Sequence, residues 1–115
     1  RPCLLLVHHP PHDGACAARR ALWDRQALQA MLHRSPVEAV LFGHLHYPIH
    51  ADLDGPRGPS PALGAGAAST VGRRKGPAHY HLLEIDPEAP RAITLQHRQY
   101  DPEAGAFRAG ERRAL

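Results

Sequence analysis

Two short apolar runs, Leu4-Leu5-Leu6-Val7 and Val40-Leu41-Phe42, each lead straight into histidines. The first opens onto His8-His9-Pro10-Pro11 and the second onto Gly43-His44-Leu45-His46. Runs this short suit buried parallel strands, apolar on both faces, and predict strands over 4–8 and 37–42. Between them Leu28, Met31 and Leu32 recur at helical spacing. Asp24 is placed to cap that helix, and Ser35-Pro36 ends it near Arg34. Arg25, Gln29 and His33 are expected on its outer face. Strand, crossover helix and parallel strand make a βαβ unit. Ligands of open α/β sheets bind beyond the carboxyl ends of the strands. His8, His9, His44 and His46 all fall at that rim, with Gly43 allowing a tight turn. Imidazole is a common ligand for zinc, iron, copper and nickel.

The rest of the chain reads as strands and turns. Residues 47–53 alternate loosely, as a strand does. Residues 54–61 hold three prolines and two glycines and form a loop. Residues 62–69 are small and apolar, a strand closely approached by its neighbours. Residues 72–77 form a basic loop. Strands follow over 78–85 and 92–100, joined by a turn around Asp86-Pro87 and Pro90. A turn over 101–105 and a last short strand at Phe107 complete an expected antiparallel meander.

Composition narrows the function classes. A length of 115 residues suits one domain. The 14 Lys+Arg exceed the 11 Asp+Glu only slightly, and they are scattered apart from Arg73-Arg74-Lys75 and Arg112-Arg113. Phosphate-tracking surfaces need clustered charge, so the balance argues against a nucleic-acid partner. Cys3 and Cys16 make no CxxC, and Cys3 is expected as a small core residue. No apolar run approaches the roughly 20 residues of a membrane span, and no signal peptide is visible. Cytoplasm is the default compartment. The sequence has no G-x-S-x-G, no Walker loop and no G-x-G-x-x-G. His12, His33, His50 and His97 stand alone and are expected to be structural or solvated. His79-Tyr80-His81 is a second HxH, with Glu84 nearby. Residues two apart in a strand share a face, and Glu84 falls on the opposite one. We therefore expect a structural strand there, away from the rim.

The order of strand, His8-His9-Pro10-Pro11, helix, strand, Gly43-His44-Leu45-His46 and meander resembles the C-terminal half of a calcineurin-like metallophosphoesterase. The closest similarity is to the bacterial group related to cyclic-nucleotide phosphodiesterases. Tyr80-His81-Leu82 and Arg98-Gln99-Tyr100-Asp101 are also similar to that group. The resemblance spans nearly the whole chain. It implies a four-layer αββα sandwich, of which residues 1–115 form a partial domain with a βαβ unit and a meander. It implies two divalent ions, of manganese, iron or zinc. His8 and His44 would bind one ion and His46 the other. His9 is the one further catalytic candidate, set behind the ligands or near the substrate phosphate. Tyr47 and Pro10 would shape the rim. The substrate would be a phosphate ester, hydrolysed by a hydroxide that the two ions activate.

The family's other ligands come from D-x-H, GD and GNH motifs. This sequence has no Asp-x-His, no Gly-Asp and no asparagine. The bridging aspartate, the asparagine ligand and the histidine that assists the leaving group therefore have no counterparts here. Arg1 is not a start residue, and an N-terminal half is expected, on the same gene or a partner chain. An alternative is a noncatalytic metal-binding or interaction module that retains the half-fold.

Overall fold

The computed structural model of the protein describes residues 1–69, 71–72 and 76–115, and Arg73-Arg74-Lys75 of the expected basic loop lie outside them. The fold is mixed α/β. Strands β1 (Leu4–Leu6) and β2 (Ala39–Phe42) flank helix α1 (Arg25–Leu32). As the spacing predicts, β1 and β2 are adjacent and parallel, with Leu4 opposite Ala39 and Leu6 opposite Leu41.

The chain then departs from a simple meander. Strand β3 (Ile49–Leu53) runs out to the sheet's far edge, and β4 (Ser60–Gly64) returns between it and β2. β4 is parallel to β2 and antiparallel to β3. Residues 60–64 take this central place because Ala62 and Gly64 present little bulk to two neighbours and Leu63 is apolar enough to be buried there. A Cβ on Gly64 would lie 2.7 Å from the Phe42 ring. A two-residue ladder joins β5 (Val71–Gly72) to β6 (Gly76–Pro77). The antiparallel meander is the last sheet, β7 (His79–Ile85), β8 (Ile93–Asp101) and β9 (Ala106–Ala114). β9 is nine residues long, well beyond the short strand expected at Phe107.

One face of the first sheet packs on α1. Leu32 meets Val37, Val40, Phe42, Leu53 and Ala62, with Leu5 and Val7 at the margin. On the opposite face, Leu6, Leu41 and Leu63 stand in register across three strands. Leu63 is 1% exposed and Leu6 is 72% exposed. β1 is thus an edge strand covered on one face only, not a strand buried on both.

The helix face also differs from expectation. Met31 is exposed, whereas Gln29 turns inward and donates to the Pro11 carbonyl at 2.8 Å. Arg25 pairs with Asp13. α1 thereby grips the loop that follows His8 and His9. Asp24 precedes the helix but makes no side-chain cap bond. No helix among the described residues is long and apolar enough to cross a membrane.

Candidate metal centre

Parallel pairing of β1 and β2 brings both histidine motifs to one rim. The ladder continues past the strands: Val7 N–H donates to the Leu41 carbonyl at 3.0 Å and Gly43 N–H to the His8 carbonyl at 3.1 Å. Each motif is then pinned behind its histidines. Pro10 and Pro11 are fully buried side chains. Leu45 is buried, a plug between His44 and His46. Its N–H donates to the Gly43 carbonyl at 2.9 Å. Both histidines beside it adopt left-handed backbone, φ 69° at His44 and 62° at His46. Non-glycine residues rarely do so, and such strain gathers at functional sites.

The rings that converge are those of His8, His9 and His44. Their ligand nitrogens lie within 4.8 Å of one another, and no other trio of His, Cys, Asp or Glu among the described residues does so. Ring centroids are 4.8 Å apart for His8 and His9, 5.1 Å for His8 and His44, and 4.5 Å for His9 and His44. His8 Nε2 and His44 Nδ1 are 3.2 Å apart. Two nitrogens bound tetrahedrally to one ion at about 2.0–2.1 Å are separated by about 3.3 Å. The pair thus has the spacing of two ligands on one ion.

The electrostatics favour the ligating form. Desolvation, then the neighbouring His9 and His8 rings, hold the His44 pKa below the usual imidazole value; Arg20 and His46 add to the effect. A neutral imidazole is the form that binds metal. His44 Nε2 is buried with no hydrogen-bond partner among the described residues. The donor set is all imidazole, which suits zinc, copper, nickel or iron better than magnesium or calcium.

Of the expected ligands, His8 and His44 come together, His9 joins them, and His46 stands outside the trio with an exposed side chain. The alternation of an HxH does not survive two left-handed residues, so spacing alone could not say which ring would converge. His79 is closer to the GHLH turn than expected. Its Nε2 accepts the Gly66 N–H at 2.7 Å. A Cβ on Gly66 would come within 2.2 Å of the His79 ring and 3.0 Å of the His46 carbonyl. The stretch after β4 thus wedges between His79 and the turn, and only glycine fits. The small composition of residues 62–69 is the signal for that close approach.

No family model and no curated protein matches the chain in comparisons with known proteins.

Proposed function

We propose that the chain is the histidine-bearing C-terminal portion of a calcineurin-like metallophosphoesterase domain, built on the four-layer αββα plan. The observation that carries this reading is the convergence of His8, His9 and His44 from two parallel strand ends. Within it, His8 and His44 hold one ion, His46 contributes to a second, and His9 faces the phosphate or buttresses the first. Iron and zinc fit the imidazole donors, and manganese would lean on the carboxylates of the N-terminal half. Such ions supply positive charge to phosphoryl oxygens and acidify water. The chain's own part is to fix the imidazoles: the buried Pro10 and Pro11, and Leu45, clamp the two turns. Carboxylate and asparagine ligands come from an N-terminal half that carries D-x-H, GD and GNH. The substrate is a phosphate ester.

A second reading is a noncatalytic metal-binding module. It is favoured by the absence of any carboxylate in the trio and by the separate position of His46. Hydrolysis of bis(p-nitrophenyl) phosphate with added manganese separates the two. The chain alone gives no useful turnover under either reading. Supplied with an N-terminal half bearing the three motifs, it becomes a chelator-sensitive phosphoesterase. His46→Ala then lowers kcat/KM by more than about a hundredfold, while His33→Ala changes little. Zinc binding without turnover in the restored domain leaves only the module. Robust turnover by the chain alone, abolished by His44→Ala, would overturn the incomplete site.

A further inference from the structure

The meander sheet carries a second group of histidines that the rim cluster does not use. His79 and His81 on β7 and His97 on β8 lie on the sheet's inner face. Their ring centroids are 5.9 Å (His79–His81), 5.0 Å (His79–His97) and 5.5 Å (His81–His97) apart. The three differ in what their nitrogens have left to offer.

His79 is saturated. Its Nε2 accepts from Gly66, and its other hydrogen-bond partner is the backbone of Pro77, which has no N–H and so can only accept. His81 is half used. Its Nε2 lies 2.9 Å from the Gly64 carbonyl, so that nitrogen must carry the proton. Nδ1 is then a bare lone pair, buried and without a partner among the described residues. Buried acceptors are rarely left unmet. A ring whose one N–H is held by a backbone carbonyl, with the other nitrogen open, is how metal-ligating histidines are oriented.

His97 is the direct cross-strand partner of His81. Two imidazoles on one tetrahedral ion, at about 2.0–2.1 Å from it, have centroids about 5 Å apart. The observed 5.5 Å is close to that. A β-bulge supplies a third donor. Arg98 pairs with Ala109 and Gln96 with Arg112, so Gly110 and Glu111 together oppose His97. Bulges re-aim side chains beside functional sites. Here Glu111 lines the same cavity of about 290 Å³ as His81 and His97. Glu111 is exposed on an edge strand, and the three donors do not converge in this structure as the rim trio does, so the site would close as the Glu111 side chain turns inward. The cavity's cation, Arg113, is turned to His50, with its guanidinium 2.8 Å from Nδ1.

We propose that His81 through Nδ1, His97 and Glu111 form a second metal site, for one divalent transition ion of the zinc class. The donor set, two imidazoles and a carboxylate, is one that zinc takes with a position left over. The ion would tie β7, β8 and β9 together. The site shares no residue with the rim cluster and does not rest on the phosphoesterase reading.

The test uses the whole chain carrying His8→Ala and His44→Ala, titrated with zinc sulfate by calorimetry. One zinc per chain is expected, with a raised melting temperature. Adding His97→Gln or Glu111→Gln should weaken binding at least about tenfold, while His33→Ala leaves it unchanged. Circular dichroism checks that each variant is folded. The unmodified chain gives a readout that needs no variant: zinc should shift the ring nitrogens of His81 and His97 in a long-range proton–nitrogen spectrum. No zinc bound by the double variant, binding indifferent to His97 and Glu111, or unmoved His81 and His97 rings would each overturn the site.

Discussion

Two residues hold the rim in a shape that their side chains resist. His44 and His46 both sit at positive φ, where a Cβ crowds the following carbonyl at a cost of about 1–2 kcal/mol per residue. Glycine does not pay that penalty, so the strain is measurable by comparison. His46→Gly should be more stable than His46→Ala by about 1 kcal/mol, read from urea midpoints. Equal stabilities would mean that the turn relaxes once the imidazole is gone. At this scale the sequence was informative about type and silent about pose. Gly43 and the buried Leu45 make a tight turn legible. That His9 rather than His46 completes the trio depends on two backbone angles, which no spacing rule encodes. The open Nδ1 of His81 was equally hidden, because it follows from a hydrogen bond to Gly64, a distant residue in the chain.

At the level of elements, short-range order was readable and long-range order was not. The β1–α1–β2 unit follows from the alternation of apolar run and helical period. The return of β4 between β2 and β3 does not, because pairing partners of small residues such as Ala62 and Gly64 are chosen by the space available. The bulge at Gly110-Glu111 has a local signature in Gly110, since a glycine inside a strand often marks one, but that it faces His97 is not written locally. α1 has two jobs, filling the core through Leu32 and gripping the His8–His9 loop through Gln29 and Arg25. These separate cleanly. Leu32→Ala should cost about 2–5 kcal/mol of stability. Gln29→Ala should cost about 1 kcal/mol but weaken zinc at the rim. Stability changes follow from denaturation, and rim affinity from titration in a His97→Gln background. Unaltered rim affinity in Gln29→Ala would show that the buried prolines hold that loop unaided.

The whole molecule is a slab, 46 × 39 × 17 Å, with a radius of gyration of 14.8 Å. A compact chain of about 100 residues has about 13 Å. The response of the whole molecule to acid turns on a buried carboxylate. Glu38 is buried at the start of β2, where it accepts from the Cys3 N–H and pairs with Arg57. The Cys3 hydrogen bond, then Arg57, outweigh desolvation and hold its pKa below the usual carboxylate value. A depressed folded pKa contributes stability that is present above the unfolded value and lost as pH falls through the folded one. Stability should therefore decline on acidification below the ordinary glutamate range, and Glu38→Gln should flatten that part of the profile. An unchanged acid limb in the variant would assign the decline to other carboxylates. The exposure gradient from Leu63 to Leu6 has a consequence beyond the single chain. β1 is paired on one side only, with Leu4 and Leu6 bare beside its free edge, and such an edge is a template for a further strand, so concentrated copies of the chain should associate along β1 first.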